Sequence, residues 1–458
     1  MNIAGVPPVS GPSEGSRPPA LDGELTDDPD ALDAAATDFG GLVTRQPRWV
    51  ARPASTADIA AVVRWAAGLG LPLAARGQGH SVYGRSLVED GVVLDLSGFR
   101  TVHEVGGDRV VVDAGATWGT VLAATLPHGL TPPVLPDYLE LSVGGTVSAG
   151  GIGGTTHRHG AASCQVIELD VVTGDGRALT CSRDRHRDLF DAVRGGLSQC
   201  AVITRATLRL VPAMDRARQY TLRYRDLPAL TADQRLLLAA QRVDVVQGAV
   251  LVDGDGWRHQ LEAAVLHSQD ARPDDDLVLA GLSDERADAA ITELSYVDFL
   301  NRLSPLEKHL RSIGRWSDPH PWFTSFVGGS AVDDLVGGVL ADLTGADLGE
   351  FGRIVLSPLR ADRFATPLLR LPDEDVVFQF NVLRFPPNDA ELARRMATAN
   401  RALYDLVRAT GGTGYPVSAV ALAQADWAAH FGPAWPGLRE AKDRFDPRHI
   451  LAPGQGIG

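Results

Sequence analysis

The chain has 458 residues, long enough for two domains with separate hydrophobic cores. Hydrophobic residues at 44% and charged residues at 22% are those of an ordinary globular protein, and the formal charge of -14 excludes nucleic acid, whose phosphates need clustered Lys and Arg. Lysine occurs only at Lys308 and Lys442, which argues against Schiff-base chemistry.

Residues 1–25, rich in Pro, Gly and Ser, read as a flexible lead without the apolar core of about 7–15 residues that a secretory signal carries. Order is expected from Trp49–Arg52, a short strand closed by Pro53. Ser55 then caps a helix with Asp58 as a box-like partner, its apolar stripe Ile59, Val62, Val63, Ala66 at helical spacing and its end marked by Gly68 and Gly70. Leu71–Ala75 returns as a buried strand, and further strands are expected at Val92–Leu96, Val110–Asp113, Glu168–Thr173 and Val202–Val211.

From about residue 214 the texture changes. Strand-like runs at Gln260–Leu266 and Leu277–Leu282 alternate with helices at 332–343 and 389–410. The second helix carries a cap-like Asn388 to Glu391 pair and a stripe of Leu392, Met396, Ala399, Leu403 and Leu406. The segment from Trp427 is dense in Gly, Pro and aromatics. Nowhere does the chain approach the roughly 18 consecutive apolar residues of a membrane span. Cys164, Cys181 and Cys200 form no CxxC pair and no disulfide framework, so free thiols in the cytoplasm are expected. The bias toward Arg, Ala and Gly points to a high-GC bacterial genome.

Two glycine-rich stretches carry chemistry. Arg76-Gly77-Gln78-Gly79-His80-Ser81 follows a buried strand, and alternate glycines let backbone N–H groups converge on an anion such as a pyrophosphate. By itself such a loop is also simply a tight turn with a surface histidine. The stretch 144–154 holds six glycines in eleven positions, which implies backbone lying close against a flat or charged ligand. It is not a nicotinamide-binding turn: Gly151 and Gly153 are followed by Thr156 where a third glycine belongs, and no helical run follows.

These two stretches, taken with Asp137-Tyr138-Leu139 before the second and Arg158-His159-Gly160 after it, resemble the FAD-binding domain of cytokinin dehydrogenases, within the vanillyl-alcohol-oxidase superfamily. The similarity continues through Glu168–Gly174 and Asp188–Leu197. It returns at Pro319–Trp322, at Pro372–Val376, at His430–Pro433, at Phe445-Asp446-Pro447 and at Ile450–Gln455, so that it covers about residues 45–458 in order.

The resemblance implies an α+β fold: a PCMH-type FAD-binding domain at 26–213, an α/β substrate-cap domain at 214–425, and a segment 426–458 that returns to the FAD domain. It implies an FAD-linked oxidase or dehydrogenase that takes a hydride from a C–H next to N or O of a small molecule, with oxygen or a quinone-like compound as acceptor. His80 matches the histidine joined to the flavin 8α-methyl, and a neutral imidazole is a competent nucleophile. Gly77, Gln78, Gly79 and Ser81 would hold the pyrophosphate; Ser142, Gly145, Ser148 and Ile152 would line the adenine and phosphate side. Ile203, or its neighbour Val202, would meet the adenine through its backbone, and Gln455 would reach the flavin. Tyr138 stands where bicovalent relatives have cysteine, so a single covalent link is expected.

Asp137 matches the family's base and Glu307 resembles a cap-domain glutamate paired with it, although a turn residue after Pro136 and a solvated helix position are the plain alternatives. His157 and His159 belong to the flavin-loop pattern rather than to a metal site. Three departures bear on function. Leu135-Pro136 precedes the aspartate and Ser198-Gln199-Cys200-Ala201 replaces a glycine turn, which touches flavin geometry. Tyr415–Val420 replaces the cytokinin-reading segment, so isopentenyladenine is expected to be a poor substrate. An oxidase of a natural-product alcohol or polyketide, or a non-redox flavoprotein cyclase, stays open beside the main reading, as does the oligomeric state.

Overall fold

In the computed structural model, which describes residues 17–457, the first sheet has the strand order Glu24–Thr26, Trp49–Arg52, Val92–Asp95, Leu73–Arg76. Its last three strands are parallel and the first is antiparallel. Helix Thr56–Leu69 lies on it, capped by Ser55 and closed by Gly70 at φ 66. The stripe Ile59, Val62, Val63, Ala66 is fully buried against Val92, Leu94, Ile450 and Leu451. Asp58 does not complete a box with Ser55. Its carboxylate accepts N–H groups from Asp22, Gly23 and Ala54 instead. Order therefore begins well before Trp49, and the part of the expected flexible lead from residue 17 to 25 is tied down; residues 1–16 lie outside the described residues. Three donors that sequence periodicity cannot register are satisfied by one buried acid.

A second, antiparallel sheet runs Val102–Gly106, Arg109–Asp113, Ala201–Arg209, Val166–Thr173, Ala178–Ser182. Trp118, Phe190, Trp427 and Phe431 fill the core beneath it. The third sheet has eight antiparallel strands, ordered Ala290–Ser295, Arg216–Tyr224, Gly256–His267, Val245–Asp253, Arg353–Arg360, Val376–Leu383, Phe323–Gly328, Thr413–Gly414. Helices Leu227–Ala240, Val332–Asp342 and Ala390–Ala409 pack against it. This is the expected α+β architecture.

Local expectations differ in four places. Residues 277–282 are not a strand: Asp275–Val278 is one helical turn capped by Asp274. Three consecutive aspartates there favour a helix start, which outweighs the short apolar run. Helix Ala390–Ala409 is capped by Asp389, not Asn388. Its inward face is Ala393, Met396, Asn400, Tyr404 and Val407, while Leu406 and Ala399 are exposed. The helix is rotated because Asn400 is fully bonded inside, donating to Pro321 O and Ala419 O and accepting from Arg384. Finally, the glycine stretch is itself partly helical, Val143–Ala149, and a four-residue helix Thr156–His159 follows it.

The C-terminal segment returns to the first sheet, where Leu73 N–H donates to Ile450 O and Ala452 N–H to Leu73 O. Asp446, fully buried, secures the return by accepting from Ile450 and Leu451 N–H and pairing with Lys442 at 2.8 Å. The three cysteines are free, and among the described residues no helix is long and apolar enough to cross a membrane. Replacing Lys442 by Met would strand the Asp446 charge in the interior. The unfolding free energy in a urea titration is then expected to fall by about 3–5 kcal/mol; a variant as stable as its parent would show that the pair does not hold this segment.

Candidate active site

Strand Leu73–Arg76 delivers the loop that carries His80. Gly77 is pressed against the head of helix Val143–Ala149: a Cβ on it would lie 2.1 Å from Ser142 Oγ. Gly79 has φ +66, and a Cβ there would meet the Arg76 guanidinium. Gln78 is exposed and donates to Gly115 O at 3.2 Å. Ser81 donates to Asp38 Oδ2 at 2.7 Å, and the Gly84 N–H donates to the same oxygen. Phe39 N–H and Gly40 N–H reach Gly79 O and Ser81 O. Residues 38–40 thus clamp the loop, a role the sequence does not signal because it is carried by backbone groups 40 positions away.

The His80 imidazole is stacked on Phe39 with centroids 3.8 Å apart, and the Phe39 ring also stacks on His320 at 3.9 Å. Tyr138 lies 4.8 Å from His80. Burial, with smaller contributions from His320 and Arg311, pushes the His80 pKa down to about 3, so the ring is neutral near pH 7. Its Nε2 is sealed from solvent and has no hydrogen-bond partner. A neutral, desolvated imidazole nitrogen without a partner has a lone pair available for a bond. Of these neighbours, Tyr138 stood out in the sequence, as did His320 within Pro319–Trp322 though without a role, and Phe39 did not.

The remaining cofactor candidates are spread over helix Val143–Ala149, strand Ala201–Arg209 and the C-terminal turn, with Ile152 packing toward the third sheet. Ser142 starts helix Val143–Ala149 without capping it. A Cβ on Gly145 would lie 2.9 Å from Ser142 Oγ. Ser148 is buried and accepts from Ser198 Oγ. Ile203 sits buried in strand Ala201–Arg209 opposite Val171. Ile152 packs near Leu369 and Tyr415. Gln455 ends a short turn; its carbonyl accepts from Arg85, and its side-chain Oε1 is buried with no partner. Several of the dense glycines answer to protein rather than ligand: a Cβ at Gly153 would strike Leu135 O, and one at Gly154 would strike Val245. The segment Tyr415–Val420 is internal. Tyr415 OH accepts from Gly151 N–H, and Ser418 is bonded to Thr324.

Asp137 and Glu307 are not joined as the paired carboxylates the sequence suggested. Asp137 Oδ1 accepts from Arg302 Nη2 at 2.5 Å, and its Oδ2 lies 3.4 Å from Gln247 Nε2. Glu307 accepts from Tyr138 OH at 3.1 Å and from Arg311 Nε at 2.8 Å. Each carboxylate has its own arginine, because helix Ser304–Ser312 places Glu307 and Arg311 one turn apart, an i,i+4 ion pair. Arg302 and Gln247 were missed: Arg302 stands in the run Phe299–Leu303 that leads to Glu307 but signals no role of its own, Gln247 belongs to no motif, and both reach Asp137 only through the fold.

Residues 47–182 match the family described as an FAD binding domain, and residues 261–458 match the one described as cytokinin dehydrogenase 1, FAD and cytokinin binding. The chain is 41% identical to an uncharacterized oxidoreductase, ORF5 in the fasciation locus of Rhodococcoides fascians, over 92% of this chain and 96% of that protein. It is 37% identical to cytokinin dehydrogenase 10 of Oryza sativa subsp. japonica, over 94% and 88%. Among solved structures it is similar in fold to a 6-hydroxy-D-nicotine oxidase from Arthrobacter nicotinovorans, with TM-score 0.72 and 22% identity over 94% and 96% of the two chains. A BBE-like protein of Physcomitrella patens is similar with TM-score 0.74 and 16% identity, over 95% and 97%.

Gly77→Ala tests the tightness of the loop. Its methyl must displace Ser142, so the flavin-to-protein absorbance ratio of the purified variant is expected to fall, and Ser142→Gly in the same chain to restore part of it. Unchanged flavin content in Gly77→Ala would show that the loop has room for a side chain.

Proposed function

Since the chain belongs to the cytokinin dehydrogenase family of FAD-linked oxidoreductases, we propose that it oxidises a small amine at the carbon next to nitrogen, with FAD held covalently by His80. The partnerless, neutral Nε2 of His80 supports this link. Gly77, Gln78, Gly79 and Ser81 are assigned to the pyrophosphate. Ser142, Gly145, Ser148 and Ile152 are assigned to the adenine and phosphate side, Ile203 to the adenine, and Gln455, whose Oε1 lacks a partner, to the flavin. We assign 26–213 and 426–458 to the cofactor and 214–425 to the substrate. The free cysteines accord with a cytoplasmic location.

Bound FAD supplies the hydride acceptor, with oxygen or a quinone-like compound as the final one. Asp137 takes the proton from the substrate N–H, so that loss of hydride from the neighbouring carbon does not leave a cation. Arg302 and Gln247 hold its carboxylate between the cofactor loop and the third sheet. Glu307 acts one residue along, fixing Tyr138 beside His80. Because Tyr415–Val420 is engaged in internal packing, its departure from the family pattern reflects what it packs on. Cytokinins, the compounds in the relatives' names, are therefore candidates for this chain, and isopentenyladenine is the one to try first.

For the link, protein precipitated in acid is expected to keep its yellow colour and in-gel fluorescence, and His80→Ala to lose both. Flavin that washes out of the unfolded parent would refute the covalent bond.

For the base, isopentenyladenine is expected to bleach the flavin anaerobically, and Asp137→Asn, still carrying FAD, to slow that bleaching by about 10²-fold or more. Bleaching by alcohols or polyketides alone would move the chain to another substrate class. A wild-type rate in Asp137→Asn would place the base elsewhere.

A further inference from the structure

Asp137 sits in a loop directly after Pro136, outside any helix or strand, and its side chain is 31% exposed. A carboxylate on such a loop can rotate, yet a proton acceptor works only when one oxygen faces the substrate N–H at hydrogen-bond distance. What stops the rotation is Arg302. Its guanidinium donates to Phe299 O at 3.3 Å, lies over the Phe299 ring with 4.9 Å to the centroid, and is itself only 17% exposed. Already fixed in this way, it takes Asp137 Oδ1 at 2.5 Å. The other oxygen has only the long 3.4 Å contact with the Gln247 amide, from the strand Val245–Asp253 of the third sheet.

The two contacts are unequal, and the inequality assigns roles to the two oxygens. Oδ1 is held by a charge-assisted bond from a side chain that is itself anchored. Oδ2 carries a weak neutral contact that an incoming N–H can displace. The pair is partly buried, and at the site its effect is placement of the carboxylate. Asp137 and Arg302 line one cleft together with Pro136, Thr155 and Tyr296, so the carboxylate faces a space beside the residue that holds it.

We propose that Arg302 is the positioning residue of the proton acceptor, locking Asp137 Oδ1 so that Oδ2 alone, guarded by the Gln247 amide, receives the substrate proton. This rests on the reading of Asp137 as base. The test is a double-mutant cycle on anaerobic flavin bleaching by isopentenyladenine, using Arg302→Gln, Asp137→Asn and the double variant, each loaded with FAD. Arg302→Gln is expected to slow bleaching by about tenfold to 10²-fold, and to cause no further slowing once Asp137 is Asn. Arg302→Lys, with a charge but no planar fork, is expected to fall between Gln and the parent. If the Gln variant does not hold flavin, the same cycle is read with Arg302→Lys.

Parent-like bleaching in the Arg302 variant, or equal slowing with and without the Asp137 carboxylate, would overturn this role while leaving Asp137 as base. A parent rate in Asp137→Asn would remove the base reading and this inference with it; if isopentenyladenine does not bleach the parent, the same cycle is read with the alcohol or polyketide that does.

Discussion

The Phe39 ring lies between the imidazoles of His80 and His320, and this three-ring stack constrains the centre of the molecule. It helps seal the Nε2 of His80 from water, which favours the neutral imidazole and leaves that nitrogen without a partner. A solvated histidine would spend its lone pair on water and half its time protonated near its ordinary pKa. The stack exists because chain segments distant in sequence meet there: residues 38–40 bond the loop backbone, and His320 Nδ1 bonds Phe39 O.

Two adjacent residues near the same loop reach across to the segment 302–307. Asp137 is tied to Arg302 and Tyr138 to Glu307, so neighbouring positions grip a turn and the helix that follows it. The consequence is mechanical as well as chemical. Asp137 and the aromatic wall beside His80 are set by two neighbouring contacts, and helix Ser304–Ser312 bears on Tyr138 through Glu307. The C-terminal return works alike: the Lys442–Asp446 pair secures the residues that place Gln455 beside the first sheet.

Much of this was legible in local pattern. Ser55, the stripe from Ile59 to Ala66 and Gly70 identify their helix because capping, 3.6-residue periodicity and a left-handed stop act over short distances. The glycines at 77 and 79 are legible for the same reason: close backbone approach leaves no room for a Cβ. Where patterns misled, a partner far along the chain had decided. Asp58 serves Asp22 and Gly23 instead of its own cap, and Asn400 turns inward because Arg384, Pro321 and Ala419 satisfy it.

The sequence by itself determined the α+β class, the FAD family, the loop that carries His80 and the position of Asp137, all of which rest on short-range order and ordered motifs. The tertiary structure alone decided which groups surround them. That Glu307 meets Tyr138 rather than Asp137, and that Arg302 and Gln247 take its place, depends on how helix Ser304–Ser312 and the third sheet approach the cofactor loop. Side-chain pairing across more than a hundred residues follows the packing of whole elements, and no spacing along the chain encodes it.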